Sequence, residues 1–397
     1  MKKGLKGTGM EQVIGGGDNS RPPSCTEKVA FSIFRYFPYG GLQLDMMRMA
    51  REFTARGIQV DIYCMGYDAP EIPDGVIFKV LKTSGLSNHR KARNFEKQLA
   101  EALKNEDYLA HVAFNRLVPA DWYFAADMPF VESVKRSFWE KLMPRYRTFA
   151  AMEKELFEPG NTTKIFCITP AQEQMFRRLY GTPAERIYQL PPGINESFKN
   201  ALELRKKRGD LRRELGIKDD EILLVQVSSA FRTKGVDRSI AAVASLPEDI
   251  RKKTRLMIVG RGKSAPYAKF AARCGIGGQV IFTGGRNDVP ELIAASDLMI
   301  HPARNEATGT VLLESLACGT PVLCSANCGF SPFIRDAGSV VLPRLFRQKI
   351  LNRTLMVALS TPDKLADLQI EAENYGRSGD FYRRAKCAVD LITQKAL

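Results

Sequence analysis

Asn305-Glu306-Ala307-Thr308-Gly309-Thr310-Val311-Leu312-Leu313-Glu314 is the stretch on which the reading of this chain turns. It follows a short apolar run, Asp297 to Ile300, and the loop His301-Pro302-Ala303. It leads into an apolar segment closed by Cys318-Gly319-Thr320-Pro321. The pattern predicts strand, loop, then helix, with Glu306 in the loop and Glu314 on the helix. Gly309 leaves the first turn open, so backbone N–H groups can approach a ligand closely. Free N–H groups at a helix N-terminus favour phosphate. Two carboxylates flanking such a terminus suit hydroxyls on either side of a diphosphate, the shape of a nucleotide-sugar. Two solvated surface carboxylates are the alternative, and the surroundings decide between them.

Upstream, Ile222 to Val227 reads as a strand, Ser228 to Gly235 as a loop and Val236 to Leu246 as a helix. Arg255 to Val259 is a strand ending in Gly260-Arg261-Gly262, and Val280 to Thr283 is another, followed by Gly284-Gly285-Arg286-Asn287-Asp288. Parallel strands put their carboxyl ends on one edge, where open α/β sheets bind ligands. The loops at that edge hold Arg232, Lys234, Arg261, Arg286, Glu306 and the Gly309 helix start. Cations gathered there with a helix N-terminus make a diphosphate site; scattered surface charge would not choose one edge.

The first half alternates in the same way. Lys28 to Phe34 is a strand, Arg35 to Gly41 a loop, Leu42 to Gly57 a helix and Ile58 to Cys64 a strand. Gly40 and Gly41 therefore sit at a helix start on the ligand edge, unless the turn needs glycine for steric reasons alone. The fold class is α/β, with two doubly wound Rossmann-like domains. Leu190-Pro191-Pro192-Gly193-Ile194 is the best boundary. The expected division is 1–27 as a disordered extension, 28–190 and 191–378 as domains, and 379–397 as a C-terminal helix open to crossing back to the first domain. Leu202 to Leu215 reads as a basic helix with a solvated face.

A length of 397 residues exceeds what a single core usually supports. The net charge of +15 implies an anionic partner: nucleic acid, an anionic membrane surface or a phosphorylated substrate. No run is apolar enough to span a bilayer and Met1 to Lys28 has no apolar core, so a cytoplasmic location is expected. Cys318, Cys324 and Cys328 cluster without C-x-x-C spacing or a partner histidine, and the chain has three histidines in all. No metal site is expected.

The segment Phe130 to Phe157 stands apart. Lys135, Arg136, Lys141, Arg145, Arg147 and Lys154 are interleaved there with Phe138, Trp139, Leu142, Met143, Tyr146, Phe149 and Phe157. A basic segment with aromatic anchors suits an anionic membrane surface. An ordinary amphipathic pair packed on its own domain is the alternative, with Pro144 dividing it into two short helices. Two rival functions are weaker. Gly260-Arg261-Gly262-Lys263-Ser264-Ala265 matches a dinucleotide-binding G-x-G-x-x-A, but no acidic residue ends the next strand at Thr283. No nucleic-acid-binding motif accompanies the charge, so nucleic acid is not the expected partner.

Glu306-x7-Glu314 with Lys234-Gly235 upstream resembles retaining glycosyltransferases of the GT-B fold, family 4. Val29-Ala30-Phe31, Tyr36 to Gln43, Tyr123 to Asp127, Leu190 to Ile194, Lys234 to Ser239 and Gly285 to Val289 are similar to the branch that adds glucose to the inner-core heptose of lipopolysaccharide. The resemblance runs from about Val29 to near the C-terminus. It implies two domains facing a cleft, closing about Pro191-Pro192-Gly193. It implies UDP-glucose or a related UDP-sugar as donor, a lipopolysaccharide core acceptor, and no cofactor or metal. It also implies a peripheral position on the inner membrane face through 130–157. By the same resemblance Glu314 would bind the ribose and Glu306 the donor sugar. Backbone N–H groups from Thr308 through Gly309 to Thr310 would meet the diphosphate. Lys234 would neutralise the departing phosphate and Arg286 would touch the nucleotide. Gly40 and Gly41 would close on the diphosphate, and Asp127 would lie near donor sugar and acceptor. One position departs: the family has arginine immediately before the lysine, where this chain has Thr233, with Arg232 one place earlier. A non-catalytic nucleotide-sugar or membrane-binding protein of the same fold, or another family 4 transferase, is the alternative.

Overall fold

The computed structural model describes residues 5–6, 12–13, 27–38, 40–69, 71–133 and 138–394. The extension expected over 1–27 lies almost wholly outside them, as do Lys135 and Arg136 of the basic segment. Two compact units divide the chain: Met1–Pro191 with Arg383–Leu397, and Pro192–Tyr382.

The first unit is built on a parallel sheet. Its strand order is Ile187–Gln189, Lys164–Cys167, Trp122–Ala125, His111–Ala113, Lys28–Ile33, Gln59–Cys64 and Val76–Val80, with the two residues Gln12–Val13 antiparallel at the edge. Strands covered on both faces read as continuous apolar runs rather than alternating ones. Lys28–Ile33 is buried from its second residue onward. The helix Gly41–Ala55 directs Met46, Met49, Ala50 and Phe53 at helical spacing into the same core, where Phe53 meets Phe31 edge-on. The strand order reverses between Lys28–Ile33 and His111–Ala113, which makes that place the switch point of the sheet.

The chain's end returns to this unit. The helix Arg384–Thr393 packs Ala388, Val389 and Ile392 into the first core, against the helix Gly41–Ala55. Buried Arg384 donates to Asp45 Oδ2 at 3.0 Å and to the Pro191 carbonyl at 3.1 Å. The second unit thus ends at Tyr382 rather than at 378, and the last helix starts at Arg384 rather than 379. Periodicity shows that such a helix has an apolar face; it does not show which core receives it.

The basic aromatic segment forms short helices at Phe130–Ser133 and Phe138–Leu142 and one long helix, Pro144–Phe157. Pro144 opens that helix instead of breaking one, since the first helical turn has no use for its missing N–H. Glu153, fully buried, accepts from the Phe130 and Val131 N–H groups at 2.5 and 3.2 Å and pairs with Arg116 at 2.7 Å. The segment is therefore tied to its own unit, with Phe157 stacked on Phe176 in the core. Trp139, Leu142 and Met143 stay exposed.

The second unit holds a 6-stranded parallel sheet in the order Val280–Gly284, Thr254–Val259, Ile222–Val227, Leu298–His301, Val322–Ser325 and Val340–Leu342. Its switch point falls between Ile222–Val227 and Leu298–His301, which pair Leu224 with Leu298 and Val225 with Met299. The basic stretch expected as one solvated helix is two, Ala201–Lys206 and Arg208–Glu214. Two of its arginines point inward. Arg205 donates to the Ala294 and Ser296 carbonyls at 2.8 and 2.5 Å. Arg212 donates to Asp297 Oδ2 at 3.1 Å and to the Lys218 and Glu221 carbonyls. Buried guanidinium groups persist only when so satisfied; here they fasten the entry of the second unit to its sheet.

Candidate functional site

The strand Ile222–Val227 runs into a single helical turn, Phe231–Lys234, which Gly235 ends at φ 75°. A Cβ at Gly235 would stand 2.4 Å from the Pro302 carbonyl oxygen, so only glycine lets the two loops approach this closely. Gln226, a buried amide in an otherwise apolar strand, donates to the Lys234 carbonyl at 2.7 Å. From the neighbouring strand's loop, the Arg304 N–H reaches the Thr233 carbonyl at 2.7 Å and its guanidinium reaches the Arg232 carbonyl at 2.7 Å. The same guanidinium takes Asp237 in a two-pronged pair at 2.8 and 2.6 Å. The lysine turn is thereby fixed to the loop that carries Glu306.

That loop is held from the other side as well. Glu306 pairs in parallel with Cys328, and Phe330 N–H donates to the Thr308 carbonyl at 2.7 Å. Gly309, at φ 84°, then opens the helix Thr310–Ala317. Leu312 N–H is taken by the Gly309 carbonyl at 2.9 Å, and the N–H groups before it precede the helix's own bonding pattern. Lys234 forms an ion pair with Glu306 Oε1, the two side chains being 20 and 12 % exposed. His301, at the end of the strand and buried, donates from Nε2 to Glu306 Oε2 at 2.6 Å. Its Nδ1 is buried and has no hydrogen-bond partner among the described residues. Burial works to raise the Glu306 pKa. The hydrogen bond and charge of His301, together with Lys234, outweigh it and hold the carboxyl at about 2.

Lys234, Glu306, Thr308, Gly309 and Thr310 are thus brought to one place, straddling the switch point of the second sheet. Arg232 is exposed on the same turn as Lys234. Glu314 lies further along the Gly309 helix, half-buried. Arg286 is different: it is exposed and grips Asp288, at 2.8 Å from Nε to Oδ1. Its guanidinium must leave that carboxylate before it can touch a nucleotide. Gly40, Gly41 and Asp127 belong to the first unit. Gly40 precedes and Gly41 begins the helix after the first strand. Asp127 is exposed after the strand Trp122–Ala125, its carbonyl accepting from Gln172 at 3.3 Å.

Sequence reading missed His301, Gln226 and Arg304. A histidine at the carboxyl end of a strand was the available signal for the first, and an amide inside an apolar strand for the second. It also expected no histidine partner for the cysteine cluster. The structure corrects this: ligand-type atoms of His301, Glu306 and Cys328 lie within 4.8 Å of one another. Glu306 is already engaged there by His301 and Lys234. The glycines of Gly260-Arg261-Gly262 have packing reasons of their own. A Cβ at Gly260 would meet the Ser228 carbonyl oxygen at 1.9 Å, and one at Gly262 the Phe231 ring at 2.4 Å.

Two parallel Rossmann-like α/β units, with a cation–carboxylate pair at the switch point of the second, define a GT-B glycosyltransferase. Family models agree, "Glycosyl transferases group 1" matching residues 207–375 and "Glycosyltransferase Family 4" matching residues 39–198. The lipopolysaccharide glucosyltransferase WaaG of Escherichia coli K12 is 39% identical over 369 residues, covering 92% of this chain and 98% of that protein. The crystal structure of WaaG superposes with a TM-score of 0.82 at 38% identity, over 92% of this chain and 99% of that one. Anabaena HepE in complex with UDP and glucose, at 17% identity and a TM-score of 0.68 over 94% of this chain and 100% of that one, shares the fold. The chain belongs to the family 4 glycosyltransferases.

Proposed function

We propose that this enzyme transfers glucose from UDP-glucose to an inner-core heptose of lipopolysaccharide, with retention at the anomeric carbon. The observation that carries the reading is the Lys234–Glu306–His301 constellation beside the Gly309 helix start, in a chain 39% identical to a lipopolysaccharide glucosyltransferase. Backbone N–H groups from Thr308 to Thr310 receive the diphosphate, Glu314 the ribose hydroxyls and Glu306 the donor sugar. Lys234, with Arg232 or with Arg286 once it leaves Asp288, stabilises the charge that develops on UDP. Gly40, Gly41 and Asp127 serve donor and acceptor from the first unit. The bond from the anomeric carbon to the phosphate oxygen breaks while the acceptor oxygen bonds to that carbon on the same face. The acceptor's proton passes to a phosphate oxygen of the leaving UDP. A carboxylate held near pKa 2 stays ionised throughout, so Glu306 acts as a hydrogen-bond acceptor and not as an acid. The reaction is proposed to need no cofactor or metal.

Membrane contact through 130–157 belongs to the same proposal. Trp139 is 76 % exposed and Met143 59 %. Lys141, Arg145 and Arg147 are exposed beside them. Among the described residues, no helix is long and apolar enough to cross a membrane.

The test is calorimetric titration with UDP, GDP, ADP and UDP-glucose, alongside Glu314→Ala. UDP binding that disappears in the variant is expected. Failure of every nucleotide to bind would overturn the donor reading and favour the non-catalytic alternative, to which Thr233 points.

A further inference from the structure

The second unit carries an exposed basic and apolar strip that takes no part in the donor site. It starts in the loop after the strand Val340–Leu342 and continues along the helix Gln348–Ser360. One side of that helix buries Leu351, Leu355 and Leu359 in a core. The other side presents Ile350, Arg353 and Val357, three and four positions apart and so in one stripe, with Arg347 just ahead of it. Leu345 is 92 % exposed, Ile350 46 % and Val357 49 %. From Asp336 to Asp363 the sequence has no acidic residue between. Among the described residues, Arg344, Arg347, Lys349 and Arg353 make no ion pair.

The exposure of Leu345 is not the fraying of a loose loop. Asn327 Nδ2 donates to the Arg344 carbonyl at 2.9 Å. The Arg238 guanidinium lies 4.7 Å over the Phe346 ring, and Gln348 Nε2 donates to the Arg238 carbonyl at 2.9 Å. The loop is braced before and after Leu345, and the side chain is held outward.

We propose that this strip is a second docking surface for an anionic membrane, separate from the segment 130–157 and carried by the other unit. Basic side chains drawn to anionic headgroups, with aliphatic ones among them to enter the acyl boundary, are what an interfacial surface requires. Nucleic acid would match the charge but offers an aliphatic side chain no apolar phase; its bases are met by planar groups.

The test is co-sedimentation of the full chain with phosphatidylglycerol-containing vesicles and with phosphatidylcholine vesicles. Arg347→Glu with Arg353→Glu is compared with a control of equal charge change at exposed cations elsewhere on the unit, Lys207→Glu with Lys253→Glu. Leu345→Asp and the milder Leu345→Ser test the apolar part, and Trp139→Ala with Met143→Ala tests the other segment. Thermal melting and UDP titration check that each variant stays folded. The strip variants are expected to lose roughly tenfold or more of the binding to anionic vesicles, and the control about twofold or less. An equal loss in the control, or no loss at Leu345, would overturn the proposal, as would a loss confined to the Trp139 and Met143 variant. A chain that failed to bind UDP would overturn the transferase reading and leave this result standing.

Discussion

In the second unit the loops beside the sheet's switch point are joined by charge: Lys234 to Glu306, and Arg304 to Asp237 and to the lysine turn's own carbonyls. In the first unit the matching loops, after Lys28–Ile33 and His111–Ala113, are joined by a neutral contact, Asn115 Oδ1 accepting the Phe34 N–H at 2.6 Å. What the first unit offers there is backbone. A Cβ on Gly41 would meet nothing within 4 Å, whereas one on Gly40 would come within 2.8 Å of the flexible end of Gln43 and of the Phe37 ring. The same topology thus furnishes a pre-paired ionic site in one unit and an open polar backbone in the other. Lys234 is already held by Glu306, so a donor phosphate would have to share it with that carboxylate, whereas Gly40 and Gly41 set backbone groups at the matching place of the first unit.

The strongest test of this contrast removes its charge. Lys234→Ala is expected to lower the specificity constant for transfer about 100- to 1000-fold, as loss of a charge-stabilising group does. Steady-state kinetics reads it, and a drop under about fivefold would place the stabilising charge elsewhere. A second effect is on stability. The Glu306 carboxyl is held at about 2 in the fold against an ordinary 4.5. Its depressed value contributes stability above about pH 4.5 that is lost as pH falls toward 2, a term of about 3 kcal/mol. Thermal melting of the wild type between those values is expected to fall more steeply than that of Glu306→Gln; parallel curves would refute the assignment. Third, Arg232→Ala is expected to weaken UDP binding about tenfold or more, the worth of a charge-assisted phosphate contact. Unchanged affinity would mean that the displaced arginine does not replace the one absent at Thr233. The smallest effect separates the two uses of glycine in the first unit. Gly41→Ala, at a helix start with open space, is expected to change stability by no more than about 1 kcal/mol while raising the KM for donor. Unchanged kinetics would leave Gly41 a turn residue only.

Much of this was legible in the chain itself. Apolar runs bounded by glycine and proline marked most of the sheet strands, because a strand buried on both faces has little choice but β-branched and aromatic residues. Glu306, Gly309 and Lys234 were legible too, since loops after parallel strands share an edge. Other features were not. Arg205 and Arg212 look like surface cations in sequence, yet carbonyls and a carboxylate from distant positions receive them inside. Arg286 looked available and is held by its near neighbour Asp288. His301 sits only five positions before Glu306, but that it points back at the carboxylate is a matter of how the strand ends.

By itself the sequence determined the alternation of strands and helices, the edge that the strands' carboxyl ends share and the residue types gathered on it, all of which follow from local periodicity and turn chemistry. Only the tertiary structure decided that the last helix joins the first core, that Glu306 is ionised between a lysine and a histidine, and that Leu345 is held outward. Each of these depends on partners far along the chain or on the direction of a side chain, and neither is written in the spacing of residues.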